Sequence, residues 1–320
     1  MSTQSRLAIV IPAYKGKYLK QTLQSLAVQT CKDFIVYIGD DKSPDDLFKI
    51  VEEFEGRLDI VYKKFENNLG GVNLVDQWNR CINLIDQEQW IWLFSDDDYV
   101  ESICVETFYS SLNKNKDIDL YRFNNQIVNS SGEAIGALNK FPEFLSADDF
   151  FKGRLNKKIY SYAVEYIFNR QAFEDVKGFE YFDLCWSTDD ATWIKLARKH
   201  GIYTMNQGIV YWRYSDLNIS SITNDKPIVI RKIQANLAYL LWADRYFKSY
   251  IAKFKITARE KLKWLLTMPI EITCLNIREK EDYIVSSLQS LNLENRKSMA
   301  YFIFYSGLLK KAIKSFFIVK

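Results

Sequence analysis

The sequence predicts an α/β protein. A mostly parallel central sheet is expected in residues 1–225, followed by a helical region over 226–320. Three observations carry this expectation. Short apolar runs alternate with stripes of helical period through the first 100 or so residues. Acidic clusters stand directly after the second and fourth runs, at the strand ends where ligands bind in open parallel sheets. From Pro227 onward the apolar residues keep helical spacing.

Residues 6–11 read as a buried strand that Pro12 ends. Leu19, Leu23 and Leu26 fall on one helical face. Residues 34–38 form the second strand, with Asp40 and Asp41 just beyond it. Ser43 and Pro44 have the chemistry of a helix N-cap and first-turn proline, opening a helix that runs to about Phe54. The third strand is 58–62. The loop Asn67-Asn68-Leu69-Gly70-Gly71 leads into a helix bearing Leu74, Trp78 and Ile82. Residues 90–94 are the fourth strand and run into Ser95-Asp96-Asp97-Asp98. In the middle region, 120–123 and 126–128 read as two strands and 208–213 as another, and Asp189 and Asp190 open a helix through Trp193 and Leu196. Beyond Pro227, Ile230, Ile233, Leu237, Leu240 and Leu241 share one stripe. Thr257 and Glu260 form a capping box before Leu262, Leu265 and Leu266, and Pro269 ends that helix. The last segment carries the aromatic run 301–305, then Leu309, Ala312, Ile313, Phe316 and Phe317 at helical spacing, with Lys310, Lys311 and Lys314 mostly off the stripe.

Composition narrows the function classes. Lys and Arg number 43 against 40 acidic residues, a net charge of +3, but the charge is split along the chain. Residues 1–225 carry 25 basic and 33 acidic side chains, and residues 226–320 carry 18 and 7. An acidic body with a basic tail suggests a tail that meets anionic partners. No nucleic-acid-binding motif accompanies that charge, so nucleic acid is not expected. No apolar run reaches the ~18 residues of a membrane span. The short run 7–11 lacks the longer apolar region and cleavage site of a signal peptide. Five scattered cysteines without a CxxC pair argue against disulfides or zinc and for a reducing cytoplasm. His200 is the single histidine and stands near a helix end, where a surface or capping role is expected. Catalysis is therefore expected to rest on carboxylates.

Three adjacent carboxylates repel one another unless a positive charge sits among them. Mg²⁺ or Mn²⁺ suits such oxygen ligands and is held by carboxylates together with substrate phosphates. Asp96, Asp97 and Asp98 at a strand end therefore suggest a metal-bridged diphosphate, as against a solvated acidic loop.

Several segments, in this order, resemble glycosyltransferase family 2: Ile9-Val10-Ile11-Pro12-Ala13-Tyr14, Ser25-Leu26 with Gln29-Thr30, Ile38-Gly39-Asp40-Asp41-Lys42-Ser43, Asn68-Leu69-Gly70-Gly71 with Asn79, and Ser95-Asp96-Asp97-Asp98. The resemblance covers about residues 6–215. It implies an inverting enzyme with the Rossmann-like GT-A fold. By the family pattern, Pro12, Ala13 and Tyr14 pack around the donor base. Asp40 accepts a hydrogen bond from it, typically from uracil N3–H, while Asp41 better suits a turn or capping aspartate. Asp96 meets the ribose. Asp97, or Asp98 if the register moves by one, binds the metal that bridges the diphosphate. Ser187-Thr188-Asp189-Asp190-Ala191-Thr192-Trp193 is similar to the segment bearing the catalytic base. Aligned through Trp193, Asp189 takes the base position and Thr188 stands where the family has glutamate, with Asp190 the alternative and a helix N-cap the structural one. Residues 210–215 with Asn218 resemble a loop that closes over the donor, in which Arg213 either pairs with the diphosphate or serves as a structural partner.

The resemblance does not reach the basic tail. Residues 228–268 are expected to pack as a helical subdomain, and 298–317 to lie in an anionic membrane interface. The expectation is thus a metal-dependent inverting glycosyltransferase, cytoplasmic and peripheral at the inner face of the cell membrane. It would use a UDP- or dTDP-linked sugar and a glycan or lipid-linked acceptor. Bacterial cell-surface polysaccharide or lipopolysaccharide assembly is the setting the family analogy implies. Two alternatives stand beside it. A sugar-phosphate nucleotidyltransferase needs a Gly-rich basic loop that Pro12-Ala13-Tyr14-Lys15-Gly16 matches poorly, and a non-catalytic nucleotide-sugar-binding scaffold would bind without turnover.

Overall fold

The first strand, β1 (Leu7–Ala13), is buried almost throughout, as a parallel strand covered on both faces must be. It runs through Pro12 instead of stopping there. The Ala13 carbonyl accepts from Asp41 N toward the second strand, and the Val10 carbonyl accepts from Phe94 N on the opposite side. Successive residues alternate sides, so the N–H that Pro12 lacks would point toward the fourth strand, whose pairing with β1 ends at Val10. The proline removes no ladder bond.

The computed structural model describes residues 7–215, 218–250 and 254–318. Arg6, placed in the first strand from sequence, lies outside the described residues. The chain forms two units. One runs to residue 150 and takes in 160–181 and 188–215; the other takes 151–159, 182–187 and the chain from 216.

In the first unit the remaining strands are β2 (Phe34–Asp40), β3 (Ile60–Lys64), β4 (Trp90–Leu93), β5 (Tyr99–Val100), β6 (Leu120–Val128), β7 (Phe144–Leu145), β8 (Tyr166–Asn169) and β9 (Ile202–Arg213). They form one sheet in the order β3-β2-β1-β4-β8-β6-β9-β5, with β7 on β9. The pairs β1–β2, β2–β3, β1–β4 and β6–β9 are parallel, and β8 runs antiparallel between β4 and β6. The helices are α1 (Gly16–Ala27), α2 (Leu47–Glu52), α3 (Leu74–Ile82), α4 (Cys104–Lys114), α5 (Ala147–Leu155, which continues into the second unit), α6 (Arg170–Asp175) and α7 (Thr188–His200). The predicted stripe Leu19, Leu23, Leu26 is the buried face of α1 and packs on Ile9, Ile11, Val36 and Ile38.

Several boundaries differ from expectation for identifiable reasons. Ser43 does not cap α2. Its hydroxyl donates to the Tyr14 carbonyl at 2.6 Å and its N–H to Asp40, so the helix starts later, with Asp46 accepting from Lys49 N. Residues 120–128 are one strand, not two. Strand β9 starts at Ile202, and the register against β6 jumps from Phe123↔Met205 to Asn124↔Ile209. The polar Asn206-Gln207-Gly208 is therefore a bulge inside a continuous strand. Gly208 sits there at φ +75°, and a Cβ on it would come within 2.8 Å of Cys104 Sγ.

The second unit holds α8 (Lys226–Tyr250), α9 (Ala258–Glu271), α10 (Ile277–Ser290) and α11 (Lys297–Ile318). The capping box Thr257/Glu260 opens α9, and a second, Asn276/Glu279, opens α10. Ile233 and Leu240 of the predicted α8 stripe are buried, while Ile230, Leu237 and Leu241 are half-buried because Val229, Asn236 and Tyr239 share the inner face. Pro269 does not end α9, which runs two residues further. Its last carbonyls are met by lysines: Lys280 Nζ donates to Ile272 O at 2.7 Å, and Lys311 Nζ donates to the carbonyls of Ile270 and Glu271. Leu262, Leu266, Ile284, Leu288, Ala300 and Phe304 make one core, so α11 packs on α9 and α10 through Ala300 and Phe304. All five cysteines are free thiols.

Candidate active site

The ends of β1, β2 and β4 lie side by side, because Ala13 pairs with Asp40 and Val10 with Leu93. The loops that leave them are tied together by carboxylates. Asp96 accepts from the backbone N–H groups of Tyr14 and Lys15, both at 2.8 Å, which folds the loop after β1 onto the loop after β4. Asp97 accepts from Ser95 Oγ at 2.6 Å, and its other oxygen faces Lys15 Nζ at 3.4 Å. Asp98 turns the other way and accepts from Arg213 N at 2.7 Å.

All three are buried. Burial, and then the charge of Asp97, push the Asp96 carboxyl up to about 6. The same two causes raise Asp98 well above the carboxylate range. Such a cluster holds more negative charge than its surroundings neutralise, and its donors are hard oxygens. It fits a divalent cation shared with substrate phosphates. Among the described residues no three acidic, His or Cys side chains stand together as a ready-made metal cage.

The β2 end supplies a second cluster. Asp40 accepts from Ser43 N at 2.7 Å and from the Tyr62 hydroxyl, with Lys64 Nζ at 3.7 Å. Asp41 accepts from Leu69 N at 2.7 Å, from Gly70 N at 2.8 Å and from the Arg80 guanidinium. Asp41 thus pins the Asn67–Gly71 loop; a Cβ on Gly70 would stand 2.7 Å from its Oδ2. Arg80 lies on the Phe65 ring, 3.9 Å from its centroid. Pro12 is half-buried, Ala13 is buried, and Tyr14 is 42% exposed at the mouth of these loops.

Arg213 lies beneath the acidic loop and is 1% exposed. Its guanidinium donates to the carbonyls of Asp97 (2.8 Å), Asn129 (3.1 Å) and Ser130 (3.2 Å) and to Gln21 Oε1 (2.7 Å), over the Tyr18 ring. That geometry favours the structural half of the expectation for this residue.

Asp189 and Asp190 stand in the first turn of α7, as expected, on a different network. Asp189 is half-buried and Asp190 is 1% exposed. Burial pushes the Tyr166 hydroxyl up, and the nearby Asp190 carboxylate adds a much smaller push in the same direction. Tyr166 belongs to β8, next to β4 in the sheet, and stacks on Trp193 of α7 at 4.7 Å. His200 ends α7, exposed, with Nδ1 3.2 Å from Asp119.

Sequence reasoning missed Lys15, Tyr62 and Arg80 as partners of Asp97, Asp40 and Asp41. Lys15 follows Tyr14 directly and could have been found. Tyr62 and Arg80 are 22 and 39 residues from their partners, and no local pattern signals them.

Known proteins with similar sequence or structure bear on the family and the fold. Residues 8–166 match the model of the family described as Glycosyl transferase family 2. Solved structures of S. aureus TarS 1–349 share the fold. The complex with UDP-GlcNAc superposes with a TM-score of 0.56 at 17% identity, covering 95% of this chain and 89% of that one. The complex with UDP gives 0.54 at 16% identity with the same coverage. A probable trehalose-phosphate phosphatase E of Arabidopsis thaliana is 39% identical over 70 residues, a fifth of each chain. The fold and the matched segment define a nucleotide-sugar glycosyltransferase. The chain belongs to glycosyltransferase family 2, has the GT-A fold with C-terminal helices, and is an enzyme of that class.

Proposed function

We propose that this enzyme moves a sugar, with inversion, from a nucleoside-diphosphate sugar to a hydroxyl of a lipid-linked glycan acceptor at the inner face of the cell membrane. The reaction would serve cell-surface polysaccharide or lipopolysaccharide assembly. The observation that carries the donor half is the joining of two carboxylate clusters by the loop after β1: Tyr14 is bound through its N–H to Asp96 and through its carbonyl to Ser43, beside Asp40. A base held near Pro12, Ala13, Tyr14 and Asp40 would leave its ribose toward Asp96 and its diphosphate toward Asp97. TarS structures solved with UDP and with UDP-GlcNAc support a uridine donor, with a dTDP-linked sugar equally suited to a carboxylate that accepts an N3–H.

Asp97 would hold Mn²⁺ or Mg²⁺, with Asp98 turned away onto β9. The metal, when bound, supplies charge stabilisation of the leaving diphosphate. Asp189, the more accessible of its pair, takes the proton from the acceptor hydroxyl. The oxygen then attacks the anomeric carbon from the face opposite the diphosphate, and the bond from that carbon to the phosphate oxygen breaks. Asp190, buried near Tyr166, holds the start of α7. Asp41 and Arg213 position loops and do not touch donor.

Thermal unfolding with nucleoside diphosphates and Mn²⁺ tests this reading. At a hundredfold excess over Kd, UDP or dTDP should stabilise the enzyme by about 2.7 kcal/mol. Should every nucleoside diphosphate fail to raise the melting temperature, the donor site is wrong.

A further inference from the structure

Both oxygens of Asp97 already have partners within the chain. One accepts from Ser95 Oγ at 2.6 Å, and the other faces Lys15 Nζ at 3.4 Å. The Asp97 side chain is 5% exposed and that of Lys15 28%, so the ammonium is the part of the pair that meets solvent. Arg213 does not take this place, because its Nε donates to the backbone carbonyl of Asp97. The side-chain charge of Asp97 is therefore met by Lys15.

The backbone of Lys15 is fixed and its side chain is not. Its N–H donates to Asp96 at 2.8 Å. Lys15 stands at the N-cap position of α1, yet its side chain makes no capping bond there. A flexible four-carbon stem can thus carry the ammonium away from Asp97 while the backbone stays on Asp96. In the donor site proposed above, Asp96 lies at the ribose and Asp97 at the diphosphate. Lys15 is held by the first and faces the second. A divalent cation on the same oxygen of Asp97 would repel the ammonium. A diphosphate carries enough negative charge to draw both, and a lysine binds phosphate as a point charge.

We propose that Lys15 competes with the divalent metal for Asp97, and that it turns to the donor's diphosphate once metal and donor bind. The second half rests on the donor reading above. The first half concerns the metal and Asp97 alone.

The test is calorimetric titration of the full chain with Mn²⁺ in the absence of nucleotide, then with UDP at saturating Mn²⁺. Lys15→Met should tighten Mn²⁺ about tenfold, because a competing positive charge is gone. The same variant should weaken UDP about tenfold, through the lost charge-assisted bond to phosphate. Lys15→Gln should repeat both shifts. Lys17→Met removes an exposed lysine two residues away, over the Tyr18 ring, and should change neither affinity. The opposite signs are the signature: a lysine that merely held the loop would, when lost, weaken both ligands and lower the melting temperature. Competition for Asp97 is overturned if Mn²⁺ binds Lys15→Met no more tightly than wild type, or if Lys17→Met tightens it equally. The turn to the diphosphate is overturned if UDP binds Lys15→Met as tightly as wild type. If the wild type binds Mn²⁺ but no UDP, the donor reading falls and the turn to the diphosphate falls with it, while the Mn²⁺ titration still decides whether Lys15 competes for Asp97.

Discussion

Replacing Arg213 with methionine separates the two roles that its position in the sequence allows. In the structure its guanidinium donates to three backbone carbonyls and to Gln21, and these join the acidic loop, the turn after β6 and α1. Arg213→Met keeps most of the buried volume and leaves four acceptors without this donor. A net ~1 kcal/mol per bond gives a loss of about 4 kcal/mol. At about 3 °C per kcal/mol for a unit of roughly 200 residues, the melting temperature should fall by about 12 °C. Arg213→Lys, a single ammonium in place of a planar fork, should recover about half of that.

Scanning calorimetry together with titration of UDP in the presence of Mn²⁺ makes the distinction. If Arg213 is structural, the methionine variant melts early, and the fraction still folded at low temperature binds UDP with an affinity within a few-fold of wild type. If Arg213 grips the diphosphate, the variant melts with the wild type and UDP affinity falls about a hundredfold. The second pattern would refute the structural assignment.

Three further outcomes follow from the site. Asp97→Asn should lower kcat about a thousandfold while leaving the melting temperature of the ligand-free enzyme in place, and Mn²⁺ should no longer add to the stabilisation by UDP. Asp189→Asn should cut kcat by about 10²–10⁴ without destabilising the fold, whereas Asp190→Asn should lower the melting temperature; the reverse pattern would move the base to Asp190. Burial lowers Lys232 to about 8 from an ordinary 10.5. Between those values the unfolded chain holds more protons than the folded one, so stability should rise with pH across that window. Lys232→Gln should flatten the rise in alkaline urea titrations.

The parts of the fold that show in the sequence are those made by local pattern. The apolar runs of β1, β2 and β4 are legible because a strand buried on both faces needs a continuous apolar stretch. The Leu19, Leu23, Leu26 stripe and the Thr257/Glu260 box are legible because each is complete within one or two turns. Errors arise where a long-range partner replaces a local one. Ser43 looks like a cap until Tyr14 takes its hydroxyl. Asn206-Gln207-Gly208 looks like a break until β6 continues on both sides of it. Pro269 looks like a terminator because the lysines that meet the carbonyls beyond it come from α10 and α11. The same holds at the site. The acidic clusters stand out, but their partners Tyr62 and Arg80 come from elements that only the sheet order brings near.

Part of the basic excess of the C-terminal region follows the same line, because it serves long-range partners inside the fold. Lys232, Lys261 and Lys280 are buried and serve carbonyls or, for Lys261, Asp244 at 2.9 Å. A lysine here does the work that a C′ glycine does elsewhere: it supplies donors where a helix or loop leaves carbonyls, and its charge suits the negative end of the helix dipole. Those charges are internal and act on the fold. Lys280→Met should therefore cost about 1–2 kcal/mol of stability through the Ile272 carbonyl, read as a lower melting temperature. An unchanged melting temperature would mean that water meets this carbonyl as well as the lysine does, and the buried lysines would then have no part in holding the helix ends.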